Sequence, residues 1–339
     1  MKAWIQKSLV LSAASALILS GCSTNVKQDL KTDTTAIPST TNSGAVSTAT
    51  DSGKKLKVVT TFYPMYEFSK QVAGDRAEVT ALIPTGVEPH DWEPSAKDIA
   101  QVKEADVFVY NGIVEGWAPK ALESAANSKR VVVEASKSVA ILKGLPEEGD
   151  DHGAAGKEGQ ANEESTLDPH VWLDPALAQK EVAAIQAAME QADPAHKEDY
   201  KKNAEAYITK LKELDELYKS GLKDAKRKDF ITQHAAFAYM AKEYGLTQIP
   251  IAGLSPEEEP SPDKMVDVVK FAKEHQVKTI FFETLVDPKI ASTIAKEVGA
   301  KTDVLNPLEG LTDEDKKNNL DYIAIMKKNL EGLKKALNE

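Results

Sequence analysis

Cysteine is nearly absent from the sequence: Cys22 is the only one among 339 residues, so no disulfide can form within the chain. No glycine-rich phosphate loop is present, which argues against a nucleotide-binding protein. Basic residues are in the minority, with 42 Lys and Arg against 53 Asp and Glu and a formal net charge of −11. Because nucleic-acid binding requires a basic face for the phosphates, the composition argues against that class as well.

The one long apolar run lies at the N-terminus. Two lysines precede residues 8–20, SLVLSAASALILS, and this run is shorter than the roughly 20 apolar residues of a membrane-spanning helix. It leads into LSGC, ending at Cys22, which resembles a bacterial lipobox. The resemblance implies cleavage after a signal peptide at 1–21 and attachment of diacylglycerol to the Cys22 sulfur. We therefore expect an extracytoplasmic protein, lipid-anchored to the bacterial cell membrane; the alternative is an ordinary secretory signal with a chance cysteine.

Two segments lack the apolar residues that a packed core needs. Ser and Thr make up 13 of the 33 residues in 23–55, and residues 147–166 contain seven acidic residues and one lysine. Neither can bury enough surface to offset its ordering entropy. We predict a flexible tether at 22–55 and a mobile acidic surface loop at 147–166. The loop is either a solvated linker or a weak cation-gathering segment with His152 as its one imidazole.

From residue 56 the chain alternates short β-branched runs with segments long enough for helices. This pattern is typical of parallel sheets buried on both faces. Eight strands are predicted, at 57–62, 79–84, 107–112, 130–135, 229–234, 248–253, 279–283 and 302–307. Four of them precede residue 140 and four follow residue 228, which predicts two similar lobes.

Residues 194–224 separate the two sets of strands. Apolar residues recur there at three- or four-residue spacing, which predicts a helix with one buried stripe. Thirty helical residues would span about 45 Å, enough for a stiff spine along both lobes. The predicted fold class is α/β: an N-terminal lobe at 56–193 and a C-terminal lobe at 225–339, each with a four-stranded parallel sheet, joined by this helix.

The histidines carry the chemistry. Six are present, and we expect two of them, His196 and His275, at the surface. His90 follows the second predicted strand, His234 ends the fifth, and His170 lies in a proline-flanked turn. Ligands of open parallel sheets bind beyond the carboxyl ends of strands, and imidazole is the commonest protein ligand for zinc. These three histidines therefore predict a metal site.

A tetrahedral site needs a fourth group. Glu283 ends the seventh predicted strand, at the same sheet edge as His234, and is the preferred candidate. Alternatively, Glu283 is structural and the fourth position belongs to water. Asp91 and Asp287 are weaker candidates, although Asp91 could orient a histidine from outside the metal shell.

Six motifs make the resemblance to a known family specific. They are GVEPHDWEPS at 86–95, NGIVEGW at 111–117, DPHVWLDP at 168–175, ITQHAAFAYMAKEYGL at 231–246, IAGLSPEEEPSP at 251–262, and FFE with VLNPLEG between 281 and 310. Through them the chain resembles the solute-binding lipoproteins of zinc and manganese ABC importers, the cluster that includes streptococcal metal-binding adhesins.

The resemblance implies two β/α lobes joined by one long helix, with metal in the cleft on His90, His170 and His234. The zinc branch has a histidine in the third position, where the manganese branch has a glutamate. The late aspartate of the manganese branch is absent here, and Glu283 is taken as the matching carboxylate of the zinc branch. The histidine-rich loop of many zinc-branch members is replaced by the acidic insert, so we do not expect capture of metal by loop imidazoles.

The predicted function is that of an extracytoplasmic receptor, not an enzyme, that binds Zn²⁺ and delivers it to an ABC permease. It would work as a monomer, with the cytoplasmic ATPase as an indirect partner. Three imidazoles and one carboxylate suit zinc better than manganese, although copper and nickel could also bind. The alternatives are a manganese receptor or adhesin of the same family, and a secreted zinc hydrolase, since three histidines and water can be catalytic.

Overall fold

The computed structural model describes residues 55–144 and 167–339. The predicted signal peptide, Cys22, the tether up to residue 54, and the acidic loop with His152 lie outside the described residues. Within these two ranges, none of the helices combines the length and the hydrophobicity that crossing a bilayer requires.

The first lobe is a parallel sheet with helices on its faces. Its elements are β1 (Leu56–Thr60), α1 (Tyr63–Ala73), β2 (Ala77–Ala81), α2 (Ala96–Glu104), β3 (Val107–Tyr110), α3 (Ala118–Ser124) and β4 (Val131–Glu134), with strand order β2-β1-β3-β4. A short 3₁₀ turn at Ala135–Ser138 follows β4, and another at Val171–Leu173 follows His170.

The second lobe repeats the same topology. It contains β5 (Asp229–Thr232), α6 (Ala238–Glu243), β6 (Thr247–Pro250), α7 (Pro262–Glu274), β7 (Thr279–Phe282), α8 (Lys289–Val298), β8 (Lys301–Val304), α9 (Asp313–Lys317) and α10 (Tyr322–Ala336), with strand order β6-β5-β7-β8. The predicted α/β class with two four-stranded parallel sheets is confirmed. Several strands end earlier than predicted, because the residues after them form the loops that carry the polar site.

Two helices lie between the sheets in sequence: α4 (Pro175–Ala192) and α5 (Lys197–Leu222), joined by a 3₁₀ turn at Pro194–His196. The predicted apolar stripe of α5 is buried along its whole length. Asn203 near its start donates to the Val72 carbonyl of α1 at 3.1 Å, and Tyr218 near its end donates to the Met326 carbonyl of α10 at 2.7 Å. One helix of about 39 Å therefore contacts both lobes.

A continuous apolar core crosses from one lobe to the other. It includes Val58 and Val109 of the first sheet, Leu211 of α5, and Phe230 and Phe281 of the second sheet. Since one packed interior resists deformation, the loops of the two lobes face each other at a fixed separation.

Two tyrosines of α5 test how much the hydrogen bond between α5 and α10 stabilises the fold. Tyr218 is fully buried and hydrogen-bonded to α10, whereas the Tyr207 hydroxyl is buried with no hydrogen-bond partner in the described part of the chain. Tyr218→Phe should lower the free energy of unfolding by about 1 kcal/mol, since a buried hydrogen bond is lost. Tyr207→Phe is the matched control and should be neutral or stabilising. Urea denaturation of both variants checks this; equal losses would contradict it.

Candidate metal site

His170 is held in place from one side of its ring. Its backbone N–H donates to Asp168 Oδ1 at 2.9 Å, and its Nδ1 lies 2.8 Å from the same oxygen. The turn itself is fixed by Asn111 Nδ2, which donates to the Pro169 carbonyl at 3.0 Å, and by the Tyr239 hydroxyl, which donates to the Asp168 carbonyl at 2.8 Å. A carboxylate on Nδ1 places the proton there, so Nε2 of this fully buried imidazole offers its lone pair to the cleft.

His234 is held in the same way by a different carboxylate. It lies two residues beyond β5 and is fully buried. Glu283, directly after the neighbouring strand β7, accepts the His234 backbone N–H on Oε1 at 2.9 Å and faces Nδ1 with Oε2 at 2.6 Å. The Nε2 atom of His234 therefore points toward His170, and the two Nε2 atoms are 3.2 Å apart.

His90 completes the set of imidazoles and is the most accessible of them. Its loop follows β2, and its backbone N–H donates to Glu88 Oε2 at 2.9 Å. The ring centroid lies 5.4 Å from that of His170 and 6.1 Å from that of His234. The side chain is 11% exposed, whereas the other two are 0% exposed. Solvent therefore reaches the cluster on the His90 side.

Glu309 is the carboxylate that shares the face of the three imidazoles. Its Oε1 lies 3.1 Å from Nε2 of His90 and 3.3 Å from Nε2 of both His170 and His234. One ligand atom from each of these four residues lies within 4.8 Å of all the others. The described residues contain no second cluster of this kind.

The structure thus differs from the expected position of the fourth group. The sequence pointed to Glu283, but both Glu283 oxygens contact His234 on the side away from the cluster, and Glu309 takes the inner place. Glu283 follows β7 directly, and the loop after the neighbouring strand β5 carries His234, so the two side chains lie side by side. Glu309 lies five residues beyond the end of β8, too far for its position to be predicted from the end of that strand. Its only sequence signal was its position in the VLNPLEG motif.

The other polar residues considered from the sequence lie outside the cluster. Asp91 and Asp287 are exposed, and it is Asp168, not Asp91, that faces the ring of His170. His275 is exposed and stacks on Phe271 at 4.0 Å, while the partly buried His196 contacts Asp193 at 2.7 Å. Neither histidine contributes to the cluster.

The loop that carries Glu309 is strained and tied to the other ligand loops. Leu308 is fully buried with φ = 59°, a left-handed conformation that costs about 1–3 kcal/mol for a residue with a side chain. Trp172, two residues after His170, donates its indole N–H to the Pro307 carbonyl at 2.8 Å. Gly86, in the His90 loop, donates to the Leu311 carbonyl at 3.0 Å. The Glu309 loop is therefore bonded to both ligand loops of the first lobe.

Carboxylates dominate the electrostatics of the cluster. Burial opposes charge on His234, but Glu283 and Glu309 together outweigh it and raise the pKa of His234 well above the usual value. The pKa of His170 is also raised, because Asp168 and Glu309 overcome the effect of burial. Burial likewise opposes charge on Glu309, yet the three imidazoles lower its pKa well below the usual value. The surrounding carboxylates therefore favour protonation of His170 and His234.

Fold and site together define a class: a two-lobed α/β protein with one long helix and a buried cluster of metal-ligand type between the loops of its lobes. Residues 58–336 match the ZnuA family, described as the periplasmic component A of a zinc-uptake complex. The chain belongs to this family, and the resemblance predicted from the six motifs is confirmed.

Relatives of the family give the same result in sequence and in structure. The chain is 51% identical over 297 residues to the "High-affinity zinc uptake system protein ZnuA" of Bacillus subtilis, covering 87% of this chain and 92% of that one. It is similar to the crystal structure of Zn(II)-bound AdcA from Streptococcus pneumoniae, with 45% identity and a TM-score of 0.71. That match covers 84% of this chain but only 58% of AdcA, so this chain spans little more than half of that relative.

A third relative carries a second activity in its description. The laminin-binding protein of Streptococcus agalactiae, described as bifunctional with adhesin and metal-transporting activity, is 39% identical with a TM-score of 0.72. The alignment covers 83% of this chain and 99% of that one. The predicted relationship to the streptococcal adhesins is therefore confirmed at the level of family and fold.

The raised pKa values of His170 and His234 predict that zinc displaces protons from the site. Coordinating imidazoles must be neutral, whereas the pKa values of these two are raised above the usual value of about 6.5. Zinc binding should therefore release protons, and affinity should fall as the pH is lowered, by about tenfold per pH unit for each proton released. Calorimetry in buffers of different ionisation enthalpy measures the release.

The exposed His275 supplies the control for this experiment. His275→Gln should leave proton release and its pH dependence unchanged. Zinc affinity that stays constant between pH 7.5 and 6, with no proton released, would contradict the assignment of these imidazoles to the site.

Proposed function

We propose that this protein is a high-affinity receptor for Zn²⁺ that delivers the ion to an ABC import permease. The observation that carries the proposal is the cluster of three imidazole nitrogens and one carboxylate oxygen within 4.8 Å of one another. Four donors of this type match the tetrahedral nitrogen and oxygen coordination of zinc, and they offer too few oxygens for manganese. The names of the relatives support it: a zinc-uptake protein and a zinc-binding lipoprotein.

In this proposal His90, His170, His234 and Glu309 bind the ion. Each buried imidazole has a carboxylate on its outer nitrogen, Asp168 on His170 and Glu283 on His234, which fixes the tautomer and raises the basicity of Nε2. Glu309 contributes the one negative charge in direct contact with the ion. Glu283 acts through His234, rather than as the metal ligand that its strand position suggested.

The arrangement favours binding over catalysis. A catalytic zinc keeps one coordination position for water or substrate, whereas a non-catalytic site is closed by protein ligands. Here the protein supplies four converging donors, and His170, His234 and Glu309 are at most 2% exposed. We therefore infer a receptor rather than a hydrolase.

The surroundings of the receptor follow from the sequence and the family. The lipobox-like LSGC supports a lipid anchor at Cys22 on the outer side of the cytoplasmic membrane. The permease would take the ion from the cleft, and ATP hydrolysis would occur on the cytoplasmic side, away from this chain. We infer that the receptor acts as a monomer, since one chain supplies all four ligands.

Single histidine replacements test the metal site as a whole. His90→Ala, His170→Ala and His234→Ala should each lower zinc affinity by at least about tenfold, since a tetrahedral site loses one of four ligands. Calorimetry gives the affinity and a stoichiometry of one, and the rise in melting temperature on zinc addition should shrink in parallel. His275→Ala is the control. Unchanged affinity in all three variants would reject the site.

Two isosteric replacements decide between the two glutamates. Glu309→Gln removes the proposed anionic ligand and should lower zinc affinity about 100-fold, with a changed visible spectrum of bound Co²⁺. Glu283→Gln keeps an acceptor for His234 and should cost about tenfold, the usual effect of a residue that orients a ligand. Its Co²⁺ spectrum should stay that of the wild type. The reverse order of losses would make Glu283 the metal ligand, and the exposed Glu314→Gln controls for charge.

A further inference from the structure

The chain segment that presents Glu309 contains a local clamp. Asn306 accepts the Leu308 backbone N–H on its own side-chain oxygen at 2.7 Å, and Pro307 between them has a fixed φ. An asparagine bonded to the backbone two residues on forms a compact turn. This turn holds the fully buried Leu308 at φ = 59°, and so sets the direction in which Glu309 leaves the backbone.

A second asparagine fixes the first one. Asn329, in α10 and 3% exposed, accepts the Asn306 backbone N–H at 2.9 Å and donates to the Asn306 carbonyl at 2.7 Å. The Asn329 side chain thus bonds both the N–H and the C=O of Asn306 and fixes the turn to α10. Together with the indole of Trp172 on the Pro307 carbonyl, they restrain three consecutive peptide groups before Glu309.

We propose that the clamp of Asn306 and Asn329 determines the metal specificity of the site, by holding Glu309 so that one of its oxygens faces the three imidazoles. The inference depends on the proposed zinc-binding function and names residues that do not touch the ion. Asn306 and Asn329 are positioning residues for Glu309.

The physical reason lies in the number of oxygens that the site can offer. In the structure Glu309 Oε1 lies 3.1–3.3 Å from all three Nε2 atoms, an arrangement with one oxygen and three nitrogens. Zinc accepts four ligands in a tetrahedron, whereas manganese prefers more oxygen ligands. A glutamate that could rotate would offer both oxygens or admit water, and either change brings the site closer to the preference of manganese. Affinity alone selects poorly among divalent metals, and a fixed geometry is one of the means by which a protein selects among them.

Two replacements of Asn306 separate the clamp from general stability. Asn306→Ala removes the acceptor of the Leu308 N–H, while Asn306→Asp keeps an acceptor at the same place. We expect the ratio of zinc to manganese affinity, measured by competition calorimetry, to fall at least about tenfold in Asn306→Ala, the scale of losses outside the metal shell. Asn306→Asp should recover most of it. The Co²⁺ absorption of Asn306→Ala should weaken, as expected for more than four ligands.

Hydrogen exchange of the protein without metal tests the hydrogen bond of the clamp independently of metal affinity. Hydrogen exchange of the Leu308 amide should be faster in Asn306→Ala than in the wild type and slow again in Asn306→Asp. Asn329→Asp, which keeps the acceptor but loses the donor to the Asn306 carbonyl, should shift the metal ratio in the same direction by a smaller factor. This second variant serves if Asn306→Ala does not fold.

Ile294→Ala is the matched control, because Ile294 is a buried residue of α8 in a separate apolar cluster of the second lobe. It should lower the melting temperature without changing the metal ratio. If Asn306→Ala or the alternative variant lowers the melting temperature while keeping the wild-type ratio and Co²⁺ spectrum, the clamp is structural and the inference is overturned. A Glu309→Gln variant that binds zinc like the wild type would instead reject the proposed ligand set itself.

Discussion

Two carboxylates behind two buried imidazoles are the constraint on which the site depends. Asp168 and Glu283 occupy Nδ1 of His170 and His234, so both Nε2 atoms must face inward, where they lie only 3.2 Å apart. Glu309 Oε1 lies 3.3 Å from each of these two Nε2 atoms, so its negative charge offsets the repulsion between the imidazoles. When both imidazoles are neutral, the same geometry directs their two Nε2 lone pairs at one point.

The support for this geometry extends well beyond the cluster. Asn111 and Tyr239 fix the turn before His170, and Trp172 after it reaches the loop of Glu309. The bond from Asn111 stays within the first lobe, whereas the bonds made by Tyr239 and Trp172 join the two lobes. The bonds between the lobes add to the restraint from α5 and the continuous core, which also contact both lobes. The rigid scaffold therefore supports the loop in which Leu308 keeps its strained backbone conformation.

Two buried acidic residues of the first lobe, Glu115 and Glu181, lie outside the metal cluster. Glu181 in α4 is fully buried with no hydrogen-bond partner in the described residues, and burial, with the nearby Glu115, raises its pKa to about 8. Glu115 is buried too, but it accepts the backbone N–H groups of Asn111 and Gly112. Through Asn111 it stabilises the turn that carries His170. Burial is thus compensated by hydrogen bonds at Glu115, and by a raised pKa at Glu181.

Features that depend on local patterns could be predicted from the amino-acid sequence alone. Short β-branched runs predicted the eight strands, and the three- or four-residue spacing of apolar residues predicted the buried stripe of α5, because each is a local feature of one element. Order along the chain placed His90, His170 and His234 in loops at sheet edges, and the structure brings these three together. The carboxylate that joins them could not be predicted in this way. Glu283 and Glu309 both lie in loops after strands of the second lobe, and which one meets the cluster depends on the positive φ of Leu308, the clamp by Asn306 and Asn329, and a hydrogen bond from Trp172. Asn306 and Asn329 are 23 residues apart, and Trp172 and Pro307 are 135 apart, so no local pattern contains those two contacts.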